Sequence, residues 1–207
     1  MENELEIRKE KVIKFLKEKK DWIQYILLAF ILWLAFFIRS QNWNLLKDIT
    51  TGKYISLELD STLWLRYAQY IADHGKLYAA DMMRNLPFGA SIDFGIYTAY
   101  FVAYLYKFLH LFIPSMTVEF ADIIYPTIAT VITTLFLFLL VRRLFDYRVA
   151  LLSALLLVTS TGFLYRSMTS DHDILGMMFI MMTLYFFVVG WQSKKVKNNI
   201  IFGAIAA

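Results

Sequence analysis

Four long apolar stretches, almost free of charge, constrain this chain more than any other feature. A helix needs about 20 apolar residues to cross the hydrocarbon core of a bilayer, and each stretch approaches that length. They cover residues 21–39, 123–141, 149–165 and 174–191. A fifth stretch begins at residue 199 and runs to residue 207, and we expect it to be the truncated start of another span. The pattern predicts an all-α integral membrane protein.

The composition agrees with several spans and excludes some kinds of site. Apolar residues make up 59% of the chain, against about 45–50% in soluble domains. There is no cysteine, which excludes disulfides, a thiol nucleophile and a cysteine metal site. The formal charge of +4 comes from local basic clusters that no stacking aromatic residues interrupt. This pattern indicates a membrane surface as partner and argues against a nucleic acid.

The apolar stretch 94–113 decides the topology. It contains Lys107, His110 and four tyrosines, and it ends at Pro114. If it crossed the membrane, the basic clusters would lie on opposite sides. If it lies in the interface, all three clusters are cytoplasmic, as the positive-inside rule requires. The tyrosines and the embedded lysine also suit an interfacial helix. The clusters are residues 1–20, 142–148 and 194–198.

Placing residues 94–113 in the interface sets the side of the membrane on which each segment lies. Residues 1–20 become a cytoplasmic basic segment, and residues 40–122 become a long first external loop. Residues 166–173 become a short external loop on the same face of the membrane. The prediction is a multi-pass protein with a cytoplasmic N-terminus.

Within the long loop, residues 60–75 are predicted to form a second interfacial helix. Ser61 can cap its start and Gly75 can end it. Asp60 lies at its N-terminus, where the helix dipole favours a carboxylate. Asp60 is therefore either only part of the cap or a functional residue.

The triplet Asp171-His172-Asp173 occupies the short loop between two spans. Ionisable side chains at a membrane boundary are costly, which favours a functional role. Two carboxylates separated by one residue are common ligands of a hard divalent cation. The alternative is a solvated loop or a cap for the helix that begins at Ile174. With Asp60 on the same face, a shared Mn²⁺ or Mg²⁺ site is the favoured prediction, with His172 as a spacer because hard metals prefer oxygen.

Several short motifs follow one another between these spans. The chain carries Glu58-Leu59-Asp60, Trp64-Leu65-Arg66-Tyr67, Asp73-His74-Gly75, Asp81 through Arg84 to Pro87-Phe88-Gly89, and Tyr165 through Asp173. With these motifs the chain resembles the N-terminal part of the catalytic subunit of oligosaccharyltransferases, the archaeal AglB-type and bacterial PglB-type enzymes.

The resemblance implies a fold and an activity. The fold is a GT-C-type helical bundle. The enzymes transfer an oligosaccharide from a polyprenyl phosphate or diphosphate carrier to the asparagine of Asn-x-Ser/Thr, with the active site on the external face. Later parts of the family's chain supply a catalytic glutamate and a Trp-Trp-Asp motif. We therefore expect this fragment to be inactive alone.

The resemblance also assigns roles to individual residues. Asp60 binds the metal and lies near the acceptor amide, and Asp171 and Asp173 supply further metal ligands. Three basic residues are candidates for contacts with the carrier phosphate, with ordinary surface charges as the alternative. They are Arg66, His74 and Arg166.

Other functions remain open at this point. Another lipid-phosphate-dependent GT-C glycosyltransferase, such as a protein mannosyltransferase or a lipid A sugar transferase, would also carry an acidic motif in the first external loop. A transporter or channel subunit with an external cation site is less favoured, because transporters place ionisable residues near the midplane and these spans carry almost none. A purely structural subunit would leave the paired carboxylates unexplained.

Overall fold

The computed structural model describes residues 20–92 and 96–207. Apart from Lys20, the predicted cytoplasmic basic segment lies outside the described residues. Within them the chain forms helices joined by short segments, with one two-stranded antiparallel hairpin. In chain order the elements are α1 Lys20–Ser40, a 3₁₀ turn Trp43–Leu46, α2 Leu59–His74, β1 Ala80–Asp81, β2 Ala90–Ser91, α3 Ile96–His110, α4 Val118–Leu144, α5 Tyr147–Thr159, α6 Thr161–Arg166, α7 His172–Trp191 and α8 Val196–Ala206.

Among the described residues, three helical segments are long and apolar enough to cross a membrane. The predicted spans 21–39, 123–141 and 174–191 coincide with α1, α4 and α7, and they make the chain a membrane protein. α4 extends beyond its predicted crossing at both ends. The three segments are Trp22–Leu46, Val118–Leu144 and His172–Trp191.

The predicted span 149–165 differs from the structure, because it is not one helix. α5 ends at Thr159, and Ser160 is extended, with φ of −61° and ψ of 124°. α6 then begins at Thr161. The three consecutive hydroxyl residues 159–161 are poor helix formers, because their side chains compete for backbone hydrogen bonds. Gly162 is also a poor helix former, because it leaves the backbone too free. α5 has 13 residues and is only about 20 Å long, so α5 alone is shorter than a bilayer core.

Contacts between distant residues bring several segment ends to one end of the helical bundle, which we call the loop end. The Nε of Arg39, in the last turn of α1, donates to the Oγ of Ser167 at 2.6 Å. The Trp43 ring lies edge-on to Phe120 in the first turn of α4, with centroids 5.7 Å apart. The end of α1 and the starts of α4 and α7 therefore lie together.

Helix α3 lies across the loop end. Near its start, the Tyr97 hydroxyl donates to the backbone carbonyl of His172, at 3.5 Å. At its end, His110 Nδ1 lies 3.3 Å from the carbonyl of Met116, just before α4. Both ends of α3 therefore return to the same end of the bundle. Its 15 residues span about 22 Å.

Helix α2 packs on α3 and α4 at the loop end. Its inner face buries Tyr67 and Ile71 against Val102 of α3 and Tyr125 of α4. α2 ends at His74, and Gly75 follows with φ of 80°, a left-handed conformation that glycine adopts without a Cβ clash. The start of α2 is thus carried on a packed helix rather than on a free loop.

A second apolar cluster joins α1, α4 and α5. α1 contributes Ile31 and Ala35, α4 contributes Phe138, and α5 contributes Ala150 and Ala154, all buried. Alanines at these contacts let the backbones approach closely, as is usual between membrane helices.

Candidate metal centre

The candidate site begins where the chain turns into α7. Asp171 is the N-cap of α7, and its Oδ1 accepts a hydrogen bond from the backbone N–H of His172 at 2.7 Å. The helix therefore starts at His172, two residues before the predicted start at Ile174. Asp171 can serve both as a helix cap and as a metal ligand, because the helix uses only Oδ1. The second oxygen, Oδ2, faces Arg166 instead of the helix.

Three consecutive side chains converge at this turn. Asp171, His172 and Asp173 each offer one ligand atom, and these atoms lie within 4.8 Å of one another. The Nδ1 of His172 is 2.5 Å from Asp171 Oδ1, and its Nε2 is 3.5 Å from Asp173 Oδ1. His172 therefore lies within the cluster, and its role as a spacer instead of a ligand stays a prediction. In the described part of the chain, this is the one His/Cys/Asp/Glu group of this kind.

The cluster is buried on one side and open on the other. The Asp171 side chain is 5% exposed, whereas that of Asp173 is 49% exposed. The donor set fits a divalent ion: two carboxylates suit Mg²⁺ or Mn²⁺, and the imidazole would also suit Zn²⁺. The phenol of Tyr97 on α3 lies beside the cluster, because its hydroxyl donates to the carbonyl of His172. Burial and the charges of Asp173 and Asp171 raise the pKa of this phenol.

Arg166 is the predicted phosphate contact that the structure brings to the cluster. Its guanidinium nitrogen lies 3.4 Å from Asp171 Oδ2 and 3.6 Å from Asp173 Oδ2. The side chain is 51% exposed, so an anion from outside can reach it. A guanidinium held beside two carboxylates is suited to bind the phosphate of a ligand that approaches the same carboxylates.

Asp60 lies near this cluster but is not a member of it. It is exposed in the first turn of α2. Trp64, one turn later on the same helical face, packs against the ring of His172 with centroids 6.3 Å apart. Hydrogen bonding with Tyr67, together with the charge of Asp60, raises the pKa of Arg84. Asp60 is therefore one helical turn from the residue of α2 that contacts the cluster.

Arg66 has a partner of its own. Its guanidinium forms an ion pair with buried Asp81, which also accepts a hydrogen bond from the Tyr67 hydroxyl at 2.8 Å. Although burial opposes it, hydrogen bonds from Tyr67 and Arg66 hold the pKa of Asp81 below its usual value. The ion pair of Arg66 thus links the hairpin to α2.

The structure does not bring His74 to the cluster. It is the last residue of α2, and its ring stacks on Tyr70 with centroids 4.0 Å apart. Along the helix axis it lies about 20 Å from Asp60.

Two residues that the sequence did not single out support the cluster from α4. The Tyr125 hydroxyl donates to the carbonyl of Asp171 at 2.9 Å. Ser170 Oγ donates to the carbonyl of Asp122, also at 2.9 Å. The signal available in the sequence was a single acidic residue at the edge of an apolar stretch, which does not identify its partners.

A cavity of about 590 Å³ opens beside the cluster. Its walls are mainly apolar. The part of the cavity at the loop end is lined by Arg166, His172 and Asp173. The apolar lining comes from α5, α6 and α7, and it includes Leu157, Phe163, Ile174, Met177 and Ile180.

The chain matches one family model, described as the N-terminal region of the oligosaccharyl transferase STT3, over residues 22–207. It is similar to the archaeal oligosaccharyltransferase AglB from Archaeoglobus fulgidus in complex with an inhibitory peptide and a dolichol-phosphate. The identity is 19% and the TM-score 0.74, covering 91% of this chain and 23% of that one. No curated protein sequence matches.

Two further structures of the Archaeoglobus fulgidus oligosaccharyltransferase are similar to the chain. The one tethered to an acceptor peptide with the NVT sequon has 19% identity and a TM-score of 0.72, covering 91% of this chain and 23% of that one. The complex with Zn and sulfate has 20% identity and a TM-score of 0.66, covering 84% and 24%. These similarities confirm the predicted all-α, GT-C-type membrane fold. The chain spans about a quarter of the length of these structures.

Proposed function

The chain belongs to the oligosaccharyl transferase STT3 family, and from this premise we propose that it is the N-terminal part of a protein N-glycosylation enzyme. The enzyme transfers a lipid-linked oligosaccharide to the asparagine of an Asn-x-Ser/Thr acceptor. The observation that carries the proposal is the convergence of Asp171, His172 and Asp173 beside the start of α2. Because the chain spans a quarter of its solved relatives, the activity belongs to the full-length protein.

Three carboxylates of this chain are suited to the metal role. Asp171 and Asp173, with Asp60, would hold a divalent cation, Mn²⁺ or Mg²⁺, and the ion would supply stabilisation of the charge on the departing carrier phosphate. Asp60 is exposed, so an acceptor peptide can approach it from solvent. It accepts a hydrogen bond from the amide of the acceptor asparagine and orients that nitrogen.

The cavity beside the cluster suits the lipid-linked donor. Its apolar walls offer a surface for the polyprenyl chain, and Arg166 at the loop end offers charge-assisted hydrogen bonds to the carrier phosphate. Relatives of known structure were solved with dolichol-phosphate and with an acceptor peptide, which supports the same two partners here. Arg66 and His74 are less suited, because one is paired with Asp81 and the other is remote.

We place the loop end outside the cell membrane and the N-terminus in the cytoplasm. The basic segments 142–148 and 194–198 both follow helices that run away from the loop end. The positive-inside rule then makes the opposite end of the bundle cytoplasmic.

The test uses the full-length enzyme with lipid-linked oligosaccharide, Mn²⁺ and an acceptor peptide. Asp60→Ala should lower the rate of glycopeptide formation by about 100-fold or more, as expected for a group that acts in the transition state. The matched control is Asp48→Ala, which removes another carboxylate from the same loop and should leave the rate within about threefold. A peptide with glutamine in place of the acceptor asparagine should give no product.

A rate for Asp60→Ala close to that of the parent would remove Asp60 from the proposed role. Transfer to a peptide without asparagine would favour a different GT-C glycosyltransferase.

A further inference from the structure

Asp122 is a fully buried carboxylate in the second turn of α4. In the part of the chain that the structure describes, no basic side chain forms an ion pair with it. A buried carboxylate without a cationic partner is costly unless hydrogen bonds compensate it. Among the described residues, Asp122 Oδ2 has a hydrogen-bond donor and Oδ1 has none, so the donor to Oδ2 indicates the role of this residue.

The carboxylate holds the segment that leads into α2. The Oγ of Ser56 donates to Asp122 Oδ2 at 2.7 Å. Ser56 precedes Asp60 by four residues, and Glu58 between them is the N-cap of α2. A hydrogen bond from a hydroxyl to a buried carboxyl oxygen is directional, whereas an apolar contact is not. The bond from Ser56 therefore fixes the point from which α2, and Asp60 with it, begins.

The same turn of α4 holds the other acidic segment. Ser170 Oγ donates to the backbone carbonyl of Asp122 at 2.9 Å. The hydroxyl of Tyr125, three residues further along α4, donates to the carbonyl of Asp171 at 2.9 Å. Ser170 and Asp171 are both buried. One helical turn thus contacts both chain segments that carry the candidate metal ligands.

We propose that Asp122 is a positioning residue, whose carboxylate uses Ser56 to set Asp60 relative to the cluster formed by Asp171, His172 and Asp173. The side chain of Asp122 acts on the site through Ser56 and the start of α2. The inference rests on the proposed function, because it assumes that Asp60 and the cluster share one cation.

The test measures Mn²⁺ affinity, by electron paramagnetic resonance of free Mn²⁺, together with the melting temperature. Both are measured on the full-length protein in lipid nanodiscs. Ser56→Ala and Asp122→Ala should each weaken Mn²⁺ binding by about tenfold, as is usual when a partner that orients a metal ligand is removed. Asp122→Asn should stay within about threefold of the parent, because its amide oxygen still accepts from Ser56.

Two comparisons separate positioning from a general loss of stability. Thr133→Ala removes another buried hydroxyl from α4, one that donates to the Ala129 carbonyl at 2.7 Å. It should lower the melting temperature without changing Mn²⁺ affinity. In an Asp60→Ala background, Ser56→Ala should have no further effect on Mn²⁺ affinity, because the residue it positions is already absent.

Unchanged Mn²⁺ affinity in Ser56→Ala would overturn the positioning role and leave the proposed function standing, provided that the parent binds Mn²⁺. An equal effect of Ser56→Ala with and without Asp60 would also overturn it. A parent protein that binds no Mn²⁺ would overturn the metal role itself, and the inference with it. Ser56→Ala keeps the test decisive if Asp122→Ala does not fold.

Discussion

The indole ring of Trp64 lies edge-on against the imidazole of His172, with ring centroids 6.3 Å apart and planes inclined by 74°. This contact joins α2 to the first residue of α7, and Trp64 is 6% exposed. Asp60 is one helical turn from Trp64, so the distance from Asp60 to the cluster depends on this packing.

Substitutions at Trp64 should separate packing from hydrogen bonding. The indole N–H is buried and has no hydrogen-bond partner among the described residues. Trp64→Ala should lower the free energy of unfolding by about 3–5 kcal/mol through the cavity it leaves. Trp64→Phe should cost much less, since it keeps an aromatic ring and removes an unsatisfied donor. Thermal unfolding in detergent measures both, and equal losses would contradict the packing account.

The imidazole of His172 should matter for the choice of metal. A nitrogen donor suits Zn²⁺, whereas Mn²⁺ favours oxygen, so His172→Ala should weaken Zn²⁺ binding by about tenfold or more and Mn²⁺ binding by less than about threefold. Competition between the two ions on one protein sample measures the ratio directly. A general loosening of the site would weaken both ions alike, and that result would exclude His172 as a ligand.

The two aspartates of the cluster should differ in their effects on stability. Asp173→Asn should weaken Mn²⁺ binding with little change in melting temperature, because its side chain is 49% exposed. Asp171→Ala should weaken Mn²⁺ binding and also lower stability by about 1 kcal/mol, because Asp171 caps α7. Asp146, the N-cap of α5, is the matched control: Asp146→Ala should lower stability alone. A change in Mn²⁺ affinity for that control would argue against a local site.

The ion pair between Arg66 and Asp81 should depend on pH. The pKa of Asp81 is lowered in the folded protein, so its stabilising effect is full above the unfolded pKa of about 3.9 and is lost as pH falls through the folded value. Asp81→Asn should cost about 1.5–3 kcal/mol at pH 7. The difference in melting temperature from the parent should shrink as pH falls below about 4. For the exposed control Asp73→Asn, the melting temperature should differ little from that of the parent. A loss of stability in Asp81→Asn that does not depend on pH would contradict the role given to the ion pair.

The sidedness of the loop end can be tested with single cysteines, because the chain has none of its own. Cysteines at exposed Asn44 and Tyr165 should react with a membrane-impermeant maleimide added outside intact cells. Tyr165 suits this test because its side chain is 63% exposed. A cysteine at Asp146 should react only after permeabilisation, and its labelling in intact cells would reverse the proposed orientation.

Hydropathy and motif order alone predict much of this protein. Burying an apolar helix in lipid depends on local composition, so the spans over α1, α4 and α7 can be read from consecutive residues. The suitability of Asp171 and Asp173 as metal ligands can likewise be predicted from their residue types and spacing. The interfacial placement of residues 94–113 follows from charge and stays a prediction. Both ends of α3 lie at the same end of the bundle.

The partners of the polar residues depended on the tertiary structure. Arg66 and Asp81, Ser56 and Asp122, and Trp64 and His172 are each separated along the chain, and nothing in the local pattern indicates that they meet. A polar group is stabilised by whichever donor or acceptor the packing brings within about 3 Å, and that depends on the relative positions of whole helices. The contact between Trp64 of α2 and His172 of α7 therefore follows from how the helices pack, since helix packing and not sequence spacing sets which side chains meet.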